Sequence, residues 1–223
     1  MQNQKTQKGL NEFFASIYIW MFIGLVISAA FSYFTLYQGL GIAIFSNPIL
    51  YYGLIAIQLA ILFGTQILIK RLSPSSSYFL YFVYAALNGI LLSWIFIIYT
   101  AGSIIATFLA ASILFLGLAV YGFTTKKDLT KYSTVLFAAM WGVFFSSLFN
   151  ILLKNNTLDI IISGIAILVF AGLTAYDNQA YQQIYLQSND EERSRYVVLG
   201  ALHMYINFVM IFVNLLKLFG NRR

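Results

Sequence analysis

Long apolar stretches alternate with short polar breaks along the whole chain. Runs of roughly twenty mostly apolar residues, the length that crosses a hydrocarbon core, lie near 14–35, 49–70, 78–99, 103–123, 134–153 and 160–181. A seventh run, near 197–219, carries several polar side chains. The breaks are turn formers, such as SNP at 46–48 and RLSPSSS at 71–77. Only Thr100, Ala101 and Gly102 separate the third and fourth runs, so those two are expected to be antiparallel neighbours. The pattern predicts an all-α integral membrane protein of seven transmembrane helices. Residues 13–223 would form one domain behind a polar tail at 1–12.

Composition agrees. The chain of 223 residues is 61% hydrophobic and 9% charged, against about 25% charged in an ordinary soluble domain. A soluble fold of this size has too much surface to hide so much apolar matter, so the solvent is expected to be a bilayer. The absence of cysteine excludes disulfides and thiolate metal sites. One histidine and seven acids argue against a structural zinc or a haem. The N-terminus lacks a short apolar core with a small-residue cleavage site, so no removable signal is expected.

The net charge of +6 reads as a set of topology determinants rather than a nucleic-acid surface. Lys5, Lys8, Lys70, Arg71, Lys126, Lys127, Lys131, Arg193 and Arg195 fall on one side of the expected bundle, and Lys154 alone in the opposite loops. The positive-inside rule then puts the N-terminus in the cytoplasm. Lys217, Arg222 and Arg223 would lie outside, against that rule. Either the seventh run spans despite these charges, which its length favours, or it is short or re-entrant. Gln58, Gln66, Asn88 and Asn150 read as hydrogen-bonding glue between helices, and Gly24, Gly89, Gly142 and Gly164 as points of close packing.

The candidate chemistry lies between residues 171 and 220. Asp177 is the one acid deep in an apolar run, and His203 is the one histidine. His203, Asn207, Met210 and Asn214 follow i, i+4, i+7, i+11 spacing, which puts them on one helical stripe. A charge at the centre of a bilayer costs about 2.5–3.5 kcal/mol on insertion scales, so Asp177 must face protein or water. It reads either as a proton switch or cation site, or as an acid that reaches water or a static basic partner. Tyr181, one turn on, could donate to it, and Arg71 or Lys70 could serve as counter-ion. His203 reads either as a physiological proton sensor or as a packing residue. No enzyme is expected. An intramembrane aspartyl protease needs two carboxylates in one site, and Ser163 lacks the glycine-serine-glycine setting of a serine protease. Asp190, Glu191 and Glu192 with Arg193 and Arg195 read as a solvated, self-neutralising turn.

Four stretches resemble the Bax inhibitor-1 family of multi-span membrane proteins, in its bacterial branch. They are FFASIYIWMFIGLVISA at 13–29, YAALNGILLSWIF at 84–96, YGFTTKKDLT at 121–130, and GLTAYDNQ at 172–179 with ALHMYINFVMIFVNLLKLFGNRR at 201–223. The resemblance implies a fold whose last helix is central. It also implies a pH-sensitive calcium leak in which two aspartates on the last two helices share a proton and exchange with an arginine. The first aspartate corresponds to Asp177 and the arginine to Arg71. The second position, in a family pattern similar to LYLDFINLF, holds Asn207 here, within MYINFVMIF. Asparagine cannot ionise, so no carboxylate dyad can form. Asn207 can still hydrogen-bond Asp177 or lend its carbonyl to a cation. His203 lies one turn before it, about 6 Å along the axis.

The expectation is therefore a pH-modulated cation leak, with calcium as the transported ion and no cofactor. Asp177, His203 and Asn207 would form the ion pathway and proton sensor, with Arg71, Tyr181 and Asn214 in support and Asp177 a weak calcium ligand. The rival expectation is a non-conducting regulator that binds other membrane proteins, such as a quality-control protease. A solute transporter would need an inverted repeat or a broken helix pair, and none is visible. The expected partners are the lipid bilayer, calcium or other cations, and protons, with no nucleic acid. The expected location is a bacterial plasma membrane.

Overall fold

The computed structural model describes residues 2–69 and 71–223, the first four of these as backbone only. Nine α-helices follow one another among them: α1 Gln2–Tyr37, α2 Leu40–Ser46, α3 Pro48–Leu68, α4 Pro74–Leu92, α5 Trp94–Ile98, α6 Ala101–Thr124, α7 Ser133–Leu153, α8 Asn156–Gln187 and α9 Asp190–Phe219. A short 3₁₀ turn, Leu129–Tyr132, leads into α7. The described residues form no strand.

Seven of these segments are long and apolar enough to cross a membrane, and Asp190–Phe219 is one of them. The third is α4 continued by α5, Pro74–Ile98, with a break at Ser93. The seventh is the most enclosed: 67% of its apolar window is buried, against 44% for Asn156–Gln187 and 6% for Pro48–Leu68. The polar stripe of the sequence therefore sits on the span with the least surface left for lipid.

The breakers act as helix starts. Asn47 accepts from the backbone of Ile49 and Leu50 ahead of Pro48, and Ser73 accepts from Ser76 ahead of Pro74. Proline fits the first helical position because its missing N–H would have no partner there. Thr100 caps α6 in the same way through the N–H of Ser103.

Several helices run beyond the apolar stretches. The polar tail is helical from Gln2 and continuous with the first span. The polar segment after Asp177 is helical too, because α8 runs to Gln187 and α9 starts at Asp190. The cause is a capping box. Asn189 accepts from the N–H of Glu192 at 2.9 Å, and Glu192 accepts from the N–H of Asn189 at 3.2 Å. Asp190, Glu191 and Glu192 thus form the first turn of a helix, where negative charge opposes the positive end of the macrodipole. Two of the three charges are still balanced locally, by Arg193 on Asp190 and Arg195 on Glu191.

Asn150 differs from expectation. It closes the end of its own helix, accepting from the N–H of Asn155 at 3.2 Å, rather than bridging to another. Gly142 and Gly164 face open space, so they are not packing points. Lys70 lies outside the described residues.

The chain divides into two compact units. The first, residues 1–98 and 184–205, is built on α1 against α4. A Cβ at Gly89 would run into the backbone carbonyl of Ser28. Ser28 Oγ donates to Ala85 O at 2.7 Å and is 2.6 Å from the Tyr205 hydroxyl. Tyr81 OH donates to Trp20 O at 2.8 Å. The second unit, residues 99–183 and 206–223, holds α6 against α8. There a Cβ at Gly122 would strike the Ala175 carbonyl. Phe208 packs edge-on against Phe108 and Phe115, with ring centroids 5.2 and 5.6 Å away.

Candidate functional site

The second unit contains the one acid deep in an apolar run. Asp177 on α8 is 6% exposed, and Asn207 on α9 is 4% exposed. Asn207 Nδ2 donates to Asp177 Oδ2 at 2.7 Å. Two neighbouring polar groups on α8 bond to their own backbone. Thr174 Oγ1 donates to Phe170 O at 2.7 Å, and Asn178 Nδ2 to Thr174 O at 2.8 Å. Asn207 is thus a partner from another helix that meets the carboxylate through an amide, a group with no charge to give.

The remaining candidates fall in several places. Asn214 donates to Met210 O at 2.7 Å, one turn back on its own helix. Tyr181 is buried on α8, and His203 is half-buried on the first-unit part of α9. Arg71 is exposed, on the turn after α3 in the first unit. No group of three or more His, Cys, Asp or Glu side chains that could hold a metal ion occurs among the described residues.

Two features escaped the sequence reading. The first joins the TTKKDL and AYDNQ stretches. Gln179 accepts from the N–H of Leu129 at 2.6 Å and donates to Lys127 O at 2.9 Å, so its amide clamps the loop before α7. Within that loop Asp128 accepts from the hydroxyl and the N–H of Thr130. The hydroxyl bond is the leading reason its carboxyl lies below the ordinary aspartate pKa, with the N–H bond and the charge of Lys131 adding to it. A signal was present: Gln179 lies two residues beyond Asp177 and so points elsewhere on the helix.

The second feature is an ion pair. Lys217 Nζ on α9 is 2.9 Å from Asp159 Oδ1 in the first turn of α8. This pairing accounts for a lysine at the far end of the seventh span, since its charge is balanced locally.

A family model described as "Inhibitor of apoptosis-promoting Bax1" matches residues 10–223. The chain belongs to the Bax inhibitor-1 family. Among bacterial members, the inner membrane protein YbhL of Escherichia coli strain K12 is 37% identical over 219 residues, covering 96% of this chain and 94% of that one. An uncharacterized protein of Borreliella burgdorferi is 38% identical over 216 residues, covering 96% and 93%. An uncharacterized membrane protein of Streptococcus pyogenes serotype M3 is 34% identical over 215 residues, covering 95% and 93%. This Bax inhibitor-1 family member is an integral membrane protein with an inner-membrane relative. The relatives' names assign no ion, substrate or partner.

Proposed function

We propose that this Bax inhibitor-1 family member is a pH-modulated cation leak, with calcium the ion that family resemblance favours. The observation that carries the reading is the buried hydrogen bond from Asn207 to Asp177. An ionisable group inside a transmembrane bundle marks a pathway or a relay by default, because its burial is costly. An amide suits both protonation states of its neighbour. Its NH₂ donates to a carboxylate, and its carbonyl accepts from a carboxylic acid if the amide turns over. Protonation can then switch the charge at this point without stranding either group.

The ionised site would offer a cation one formal negative charge and a carbonyl dipole. Calcium sites tune affinity by charge count, so a single carboxylate gives a weak site, which suits passage better than storage. His203, one turn from Asn207 on α9, is the second proton-sensitive candidate. Arg71, Tyr181 and Asn214 are supporting candidates. The N-terminus is placed in the cytoplasm by the positive-inside rule.

One observation favours a second reading. The position that the family resemblance assigns to a second aspartate holds Asn207. A member that had lost conductance could keep the fold as a non-conducting regulator of other membrane proteins.

Calcium entry into dye-loaded proteoliposomes, measured across about pH 5 to 8 where histidine and buried acids titrate, separates the readings. A leak requires flux in the unaltered protein, loss of most of it in Asp177→Asn, and a changed pH profile in Asn207→Asp. A share for His203 requires a further change in His203→Gln. Absence of flux in every variant would discard the leak and leave the regulator.

A further inference from the structure

We propose that the second unit binds a phosphate group in a cavity where α8 begins and α9 ends. The cavity measures about 310 Å³ and is lined by Asn156, Asp159, Ile160, Ser163, Lys217 and Arg222. The first four lie at i, i+3, i+4 and i+7, so they present one face of α8 to it. Lys217 and Arg222 close it from the other side.

Three observations converge on an anion. The charge is uneven: two cations line the cavity, and the single acid, Asp159, is already engaged by Lys217 at 2.9 Å. A cation would meet the Arg222 guanidinium, which has no ion-pair partner among the described residues, whereas a phosphate would complete the set. Arginine offers phosphate a planar fork, and lysine a point charge. The cavity also lies at the N-terminal end of a 32-residue helix, where the macrodipole favours negative charge, while Asn155 takes the N–H groups of Leu158 and Asp159.

The third observation is independent of charge. Ser163 is 0% exposed, and its Oγ has no hydrogen-bond partner among the described residues. A buried hydroxyl without a partner is costly. Its place in the lining makes it a donor held ready for a ligand oxygen.

The backbone holds Arg222 in place. The segment after α9 is strapped to the start of α6. Thr100 N donates to Asn221 O at 3.1 Å, Asn221 N donates to Ser103 Oγ at 2.9 Å, and Tyr99 bridges Arg222. The cavity therefore has a fixed cationic wall rather than a trailing one. The phosphate could come from a lipid headgroup, since these residues sit where a span leaves its apolar stretch, or from free inorganic phosphate.

The test uses the full-length protein, delipidated in a non-ionic detergent. Thermal unfolding is followed while inorganic phosphate, short-chain phosphatidylglycerol or short-chain diacylglycerol is titrated. The expected result is a saturable rise in Tm with a phosphate-bearing probe and none with diacylglycerol. Saturation by inorganic phosphate identifies a free-anion site; saturation by the lipid alone identifies a headgroup site. Arg222→Gln should weaken binding by about tenfold, as loss of a charge-assisted bond does. Ser163→Ala should weaken it by roughly three- to tenfold without lowering the ligand-free Tm. Asp159→Asn should tighten it, because Lys217 is released to the anion, whereas a merely structural ion pair would give only a lower Tm. The proposal is overturned if no probe saturates, if diacylglycerol acts as well as the phospholipid, or if Ser163→Ala and Asp159→Asn leave the affinity unchanged.

Discussion

Helix α8 carries two aspartates that α9 meets with different chemistry. Asp159 lies in its first turn and takes the ammonium of Lys217 at 2.9 Å, with both side chains about one-third exposed, at 35% and 30%. Asp177 lies eighteen residues further on, roughly 27 Å along a straight helix. It takes the amide of Asn207 at 2.7 Å, with both residues buried. The first arrangement neutralises a charge; the second does not. Where water is near, an opposite charge is cheap to supply and worth little. Where water is absent, pairing two full charges carries a desolvation cost that can exceed the attraction. An amide avoids the cost of burying a second full charge. The partly exposed acid thus meets a full charge, while the buried one meets only a dipole.

The largest effect should come from removing the amide. Asn207→Leu leaves the Asp177 carboxyl buried without its donor, and thermal unfolding in detergent should show a loss of about 1–3 kcal/mol. Adding Asp177→Leu should restore most of it, since replacing both partners by apolar groups is often close to neutral. A double mutant no more stable than Asn207→Leu would mean that the pair contributes little to stability. A smaller effect is expected at the other end of α8. Lys217→Met should cost at most about 1 kcal/mol, because both partners are partly solvated, and the difference should shrink in high salt. If Lys217→Met proved the more damaging of the two, the assignment of strong coupling to the buried pair would be inverted.

The comparison also marks what a sequence reveals. Seven apolar runs near twenty residues are a strong signal, so the seven spans were legible, including the last despite its polar stripe. The spacing of His203, Asn207 and Asn214 gave the stripe, because helical periodicity is local. The partners were not legible. Asn207 finds Asp177 thirty positions away and Lys217 finds Asp159 fifty-eight away. A count of charges along the chain registers Lys217 as a topology signal and cannot register its neutralisation. Asn150 misled for the opposite reason. Its partner is local, yet an asparagine in an apolar run resembles glue between helices. The junction of α8 and α9 was hidden by composition: Asp190, Glu191 and Glu192 look solvated, while the capping box between Asn189 and Glu192 needs only four residues to start a helix.

A third aspartate extends the comparison into water. Asp128 lies exposed in the loop before α7, held by the hydroxyl and N–H of Thr130. Those bonds favour its ionised form, the hydroxyl bond most, and lower its pKa. A lowered native pKa gives a contribution that is complete above the ordinary aspartate value of about 3.9. It fades as the pH falls through the lower native value. The amide resonance of Thr130 should therefore shift with a midpoint below about 3.9, and Asp128→Asn should abolish the shift. Because the group is exposed, the fold should survive the change, with unfolding at neutral pH almost unaltered. A midpoint at or above the ordinary value would show that Thr130 does not hold the carboxylate. The series from Asp177 through Asp159 to Asp128 would then lose its solvated end, where hydrogen bonds are the main hold on the charge.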